Sequence, residues 1–232
     1  MINYIDNPIF GVGLTIIIFS ICKYINKKFK LSILNPIALS IIWIILILKN
    51  NNINYNVYNK GGYIINFFLA PATVALALPL YKKIKLLKEN FMPIIIGIFV
   101  GSLAGIITII ILGYIFNLDR TMILSLIPKS TTTAISIDIS KEIGGSPAIT
   151  IAFVIITGII GNIISPKVLN ICRVNNKVAK GIAIGTSSHV IGTNKAIELG
   201  ETEGAMSSLA VSIAGLITVF LAPIIIKWIK IL

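Results

Sequence analysis

Two short stretches concentrate the side chains that could hold a solute. Ile127-Pro128-Lys129-Ser130-Thr131-Thr132-Thr133 sets a lysine and four consecutive hydroxyls behind a proline. Gly185-Thr186-Ser187-Ser188-His189-Val190-Ile191-Gly192-Thr193 joins hydroxyls and small residues to the one histidine of the chain. Hydroxyls bind the oxygens of an anion or line a wet path, and N–H groups freed where a helix starts favour negative charge. The competing reading is packing, since serine and threonine also hydrogen-bond to helix carbonyls at tight interfaces and a lone histidine is often a hydrogen-bonded core residue. Lys129 favours a site, because a cation at membrane depth is costly without a partner or a task. Histidine ionises near neutrality, which suits His189 to substrate binding or proton coupling. Asp138 is the carboxylate best placed to pair with Lys129 or to couple an ion. A third break, Ala70-Pro71-Ala72-Thr73, loses a backbone donor at Pro71.

These residues define the expected site. Lys129, Ser130, Thr131, Thr132, Thr73, Ser187, Ser188, His189 and Thr193 are expected to bind substrate, and Asp138, His189, Pro71, Pro128 and Gly192 to couple or gate. Enzyme chemistry is not expected. The adjacency of Ser188 and His189 does not by itself orient a general base, and no metal-ligand set of His, Cys or Asp is present. No cofactor is expected either.

The elements that must position these groups are apolar. Of 232 residues, 56% are hydrophobic and only 12% charged, which is far from a soluble composition. Apolar runs cover Ile9 to Ile21, Leu31 to Leu48, Tyr63 to Leu80, Phe91 to Phe116, Pro147 to Ile164 and Met206 to Ile226. Several approach the roughly 20 residues that cross a bilayer core as a helix. The expected fold is therefore an all-α, polytopic helical membrane protein. The net charge of +12 does not indicate nucleic acid, because the basic residues cluster between apolar runs and not along one interleaved face. Cys22 and Cys172 have no metal or disulfide spacing. The first apolar run lacks a cleavable leader pattern and is expected to remain as a helix.

Lysine and arginine accumulate in cytoplasmic loops. Placing all four basic clusters (Lys23 to Lys30, Lys82 to Lys88, Lys167 to Lys180, Lys227 with Lys230) inside puts the N-terminus outside and the C-terminus in the cytoplasm. It predicts about seven transmembrane helices plus one re-entrant segment at Asp119 to Ser146, with Lys180 to Gly200 crossing despite its polarity. Spans 2 to 4 and the last three spans then run in opposite senses, each set with an interrupted span in the middle. An inverted repeat with broken helices explains this, as does the alternation that any three consecutive helices must show. Gly97, Gly101 and Gly105, with Gly158 and Gly161, offer faces for close helix contact.

At these same segments the chain resembles the LrgB/CidB family of antiholin-like membrane proteins. The resemblance runs through Pro71 to Lys82, Pro128-Lys129-Ser130, Gly144-Gly145-Ser146-Pro147, Phe153 to Gly158, Ser187 to Thr193 and Gly200-Glu201-Thr202-Glu203-Gly204-Ala205, in family order and spacing. Ala134, Asp138 and Asn194-Lys195 depart from the family pattern of Pro, Glu, and a small residue with Arg. The resemblance implies one domain over 1–232, with generic spans at 1–60 and a family core at 61–232. It also implies either of two activities. One is transport of small organic acids such as glycolate, glycerate or pyruvate by alternating access. The other is antiholin-like control of murein hydrolases and lysis with a small holin-like partner of the LrgA/CidA type. The expected surroundings are the bilayer, a carboxylate substrate, that partner and further copies of the chain, with no nucleic acid.

Overall fold

The computed structural model describes residues 7–29, 36–68, 71, 74, 81 and 84–229. Regular structure among them is helical throughout, with no strand. The chain divides into two compact units, Met1–Ala75 and Leu76–Leu232.

The first unit holds α1 (Pro8–Phe29), α2 (Pro36–Asn50) and α3 (Tyr55–Phe67). Gly11 and Gly61 let α1 and α3 touch backbone to backbone, and a Cβ on Gly61 would lie 2.6 Å from the Gly11 Cα. Beside this contact Thr15 donates to the Gly11 carbonyl at 2.7 Å, which leaves the Tyr58 hydroxyl to donate to Thr15 at 2.8 Å. Asn54 starts α3 by accepting from the Asn56 N–H at 2.9 Å.

The second unit contains α4 (Ile84–Glu89), α5 (Phe91–Ile115), α6 (Arg120–Leu126), α7 (Thr133–Ile143), α8 (Pro147–Ile171), α9 (Lys177–Leu199) and α10 (Glu201–Ile229). Across the described residues α1, α5, α8 and α10 are long and apolar enough to cross a membrane. The chain is thus a multi-pass, all-α membrane protein. In the second unit α5 and α10 run in the same direction. Ile94 and Ile98, early in α5, pack on Ala205, Met206, Leu209 and Ala210, early in α10. Ile106 and Ile110 pack on Ala222, late in α10.

Between α5 and α8 the chain makes a short helical hairpin. At 7 and 11 residues, α6 and α7 reach only about 10 and 16 Å, against the roughly 30 Å of a hydrocarbon core. They double back on each other. Ser125, in the last turn of α6, and Ser140, two turns into α7, meet at Thr150 of α8. Thr150 Oγ1 lies 2.9 Å from the Ser125 carbonyl and 2.7 Å from Ser140 Oγ. Ser125 Oγ accepts from the Ser146 N–H at 2.7 Å. Gly144 closes α7 in the left-handed region (φ 87°), where glycine fits without strain. Gly145 has no room for a side chain, since a Cβ would lie 2.6 Å from Ser140 Oγ and 2.9 Å from the Ser125 amide. Pro147 then opens α8 at a position that needs no N–H donor.

The stretch Lys180 to Gly200 corrects the sequence expectation, because it does not run through the unit once. Going up its first arm, Gly181 packs on Glu203 and Met206, and Gly185 on Ser207 and Ala210 of α10. Past His189 the path reverses: Thr193 hydrogen-bonds to Ser207 at 2.8 Å, and Ile197 packs on Gly204. α9 is therefore a second hairpin, with arms 177–188 and 190–199 and its turn at one residue, His189 (φ 43°, ψ −148°). The physical reason is the glycine spacing. Gly181 and Gly185 bring the first arm against the α10 backbone, and Gly192 lets the second arm close on Ser188. One consequence is that Lys227, late in α10, lies at the opposite end of the unit from Lys88, just before α5.

Candidate functional site

The tips of the two hairpins meet at a cavity of about 150 Å³. Ile127, Lys129, Ser130 and Thr131 line it from the first hairpin, and Thr186 and Ser187 from the second. Gly101, Ser102, Gly105 and Ile106 of α5, with Ala214 and Thr218 of α10, complete the wall. Those residues fall at the middle of α5 and of α10, so the cavity sits halfway along two membrane-length helices.

Local chemistry shapes the first tip. Pro128 stops α6 from continuing regularly, and its carbonyl accepts from Ser136 Oγ at 2.7 Å, with Thr131 Oγ1 2.7 Å from Ser136. The Thr131 hydroxyl is thus engaged in holding the turn. Thr132 is the N-cap of α7 but makes no side-chain cap, so the first-turn N–H groups have no acceptor of that kind. Lys129 is half-buried and donates only to Ser130 Oγ, at a long 3.5 Å. Among the described residues no carboxylate lies within ion-pair range of it. The ion pair found there is Lys195 with Glu198, at 2.8 Å near the base of the second hairpin.

The second tip presents Thr186 and Ser187 to the cavity and turns Ser188, His189 and Thr193 elsewhere. Ser187 donates back to the Ala183 carbonyl at 2.7 Å. Ser188 packs directly on Gly161 of α8. His189 is 2% exposed, and its Nε2–H donates to the Val154 carbonyl of α8 at 2.9 Å. Its Nδ1 accepts from the Ile191 N–H at 3.5 Å, so the neutral Nε2–H tautomer satisfies both contacts. Asn162 of α8 donates to the Ile191 carbonyl at 3.0 Å, and Thr193 donates to the His189 carbonyl at 3.0 Å. These bonds satisfy backbone groups that the turn releases, as hydrocarbon requires.

Of the expected site residues, the structure brings Lys129, Ser130, Thr131 and Ser187 together around one cavity. Pro128, Gly192 and Thr132 shape the tips. Asp138 does not join them, because it is exposed on α7. Pro71 is exposed in the first unit, and Thr73 lies outside the described residues. Sequence reasoning missed the cavity role of Thr186, whose Oγ1 is buried without a hydrogen-bond partner. It also treated Gly101 and Gly105 alike. A Cβ on Gly101 would meet the Thr186 methyl at 3.0 Å, whereas Gly105 has nothing within 4 Å and opens on the cavity. No cluster of three or more His, Cys, Asp or Glu side chains suited to a metal forms among the described residues.

Comparison with known proteins adds a family. Residues 15–228 match the LrgB-like family. The chain is 38% identical over 223 residues to the "Antiholin-like protein LrgB" of Bacillus cereus, covering 96% of this chain and 97% of that protein. It is equally similar to the protein of that name from Bacillus anthracis. No solved structure matches.

Proposed function

Because the chain belongs to the LrgB-like family and carries a cationic, hydroxyl-lined cavity at mid-helix depth, we propose that it binds a small carboxylate there and carries it across the membrane by alternating access. One observation carries this reading: Lys129 is half-buried beside the cavity with no carboxylate partner among the described residues. A cation so placed favours an anion supplied from outside the fold. Ser130 and the unpartnered Thr186 hydroxyl supply further polar groups, and the uncapped start of α7 adds N–H donors beside Lys129. At about 150 Å³ the cavity is small and suits a solute of a few heavy atoms. Support falls on Lys129, Ser130 and Thr186, and not on Ser187, whose hydroxyl donates to its own helix, nor on His189 or Asp138. Purified protein in liposomes, challenged with labelled glycolate, glycerate and pyruvate, tests the reading. Flux that Lys129→Ala abolishes at equal reconstitution supports it, and absence of flux for all three acids removes it.

The comparisons support a second reading more directly than this one. Relatives bear the name antiholin-like, which favours a regulator that assembles with a small holin-like partner, and with further copies of itself, to restrain murein hydrolases and lysis. Partner-dependent protection from lysis in cells, without carboxylate flux in liposomes, would select it.

A further inference from the structure

The second unit repeats itself. α5 and α8 both have 25 residues, and α8 starts and ends 56 positions after α5 (91 to 147, 115 to 171). Each helix ends in the same turn. Phe116 N–H bonds to the Leu112 carbonyl at 2.9 Å, Asn117 to Tyr114 at 3.1 Å and Leu118 to Gly113 at 2.9 Å. At the same offset Cys172 bonds to Val168 at 2.9 Å, Arg173 to Asn170 at 3.1 Å and Val174 to Leu169 at 2.9 Å. Asn117 (φ 49°) and Arg173 (φ 53°) both take the left-handed conformation. An Asx cap follows in each case, one residue later in the second copy (offset 57), before the tips return to 56: Asp119 accepts from the Met122 N–H at 3.0 Å and Asn176 from the Ala179 N–H at 3.1 Å. The hairpins keep the offset. The tip hydroxyls Ser130-Thr131-Thr132 correspond to Thr186-Ser187-Ser188, and the closing Gly144 corresponds to Gly200.

The two copies point in opposite directions. α8 begins at the base of the first hairpin, directly after Gly144 closes α7, and ends beside Ile184 and Ala196 on the two arms of the second. Thus the first hairpin enters from the end of the unit where α5 finishes, and the second from the end where α5 begins. This register differs from the one that the run of spans suggests, and it makes each hairpin the counterpart of the other.

We propose that residues 91–146 and 147–202 form an inverted repeat whose two hairpins are opposed gates on one cavity, each closing it from its own membrane face. Counting basic residues, the second gate faces the cytoplasm, because Lys85, Lys88, Lys167, Arg173, Lys177 and Lys180 lie at that end. The seam it must open runs along α5. There a Cβ on Gly97 would lie 4.0 Å from Ile182 Cγ2, and Gly101 faces Thr186. The proposal rests on the cavity being a solute site, yet its readouts need no transported solute.

Two measurements with membrane-impermeant thiol reagents, in protein carrying Cys22→Ala and Cys172→Ser, test it. Single cysteines at Lys177 and Glu198, both exposed, are expected to label from one face, and those at Asn117 and Glu142 from the other. Labelling of Lys177→Cys and Glu198→Cys from opposite faces would overturn the repeat. Ser130→Cys is then expected to react from both faces. Oxidative pinning of Gly97→Cys to Ile182→Cys should remove its reactivity from the Lys177 face, keep it from the Asn117 face, and reverse on reduction. Reactivity that pinning leaves unchanged on both faces would overturn the gates. If the labelling pattern holds while no acid moves in liposomes, the carrier reading fails and the repeat stands.

Discussion

Two glycine-to-alanine changes, one methyl group each, separate a packed tip from an open cavity. At Gly158 the new Cβ would lie 2.6 Å from His189 Cε1, 2.8 Å from Nε2 and 2.7 Å from Ile191 Cβ. Ordinary carbon contacts sit at about 3.5–4.0 Å, so the second hairpin tip must retreat by about 1 Å. That stretches the 2.9 Å bond from His189 Nε2 to the Val154 carbonyl beyond hydrogen-bond range. Overpacking costs about 1–3 kcal/mol, and a buried polar group left unpaired about 1–3 kcal/mol. Alanine returns up to about 1 kcal/mol of helix propensity. The net is a loss of roughly 1–6 kcal/mol, about 3 at the centre of that range, which corresponds to about 6–12 °C in Tm for a unit of this length. At Gly105 nothing lies within 4 Å, so the same change is expected to hold or slightly raise Tm while narrowing the cavity. The assay is thermal unfolding of the purified protein in detergent, followed by size-exclusion monodispersity, with both variants in parallel. Equal Tm values for Gly158→Ala and Gly105→Ala would refute the packing of the His189 turn against α8.

Further outcomes follow from the same geometry. Thr150→Val keeps the shape but leaves the Ser125 carbonyl and the Ser140 hydroxyl one partner short, and should cost about 1–3 kcal/mol in the same melt. Asn162→Leu strips the side-chain donor from the Ile191 carbonyl and should destabilise by a similar amount. Asp138→Asn, on an exposed face, should change stability by no more than about 0.5 kcal/mol and leave any carboxylate flux intact; lost flux would return Asp138 to the mechanism. Lys129→Arg keeps the charge, and should retain more carboxylate binding than Lys129→Ala in a competition assay.

Composition and apolar runs make the all-α membrane fold legible, and the proline, lysine and hydroxyl cluster marks the first hairpin in the sequence itself. Lys129, Ser130, Thr131 and Ser187 stand out in the sequence as polar groups amid apolar helices, and the contacts add that they line one cavity. The fate of α9 was not legible to hydropathy, which counts passages and is blind to a chain that turns back. The signal that could have found it is a symmetry of small residues about His189, with Gly181 and Gly185 before it and Gly192 and Ala196 after. His189 itself misleads, because its type suggests proton traffic while its neighbours, the Val154 carbonyl and Gly158, make it the peg of a turn. Thr186 looked like one hydroxyl among several. Only the contacts distinguish it, since Ser187 is spent on its own helix and Thr186 is not.

The doubling back of α9 bears on how the protein is made. Neither hairpin is long and greasy enough to be handed to lipid on its own. The first gains its tie to α8 only when Thr150 has emerged from the ribosome, and the second finds its backbone contact only when Ser207 and Ala210 have followed. Seating of the two hairpins is therefore deferred until the final helix arrives, whereas α5 and α8 are long and apolar enough to enter the bilayer singly. A nascent chain halted before Glu201 should leave α9 stranded at the membrane surface, open to proteases.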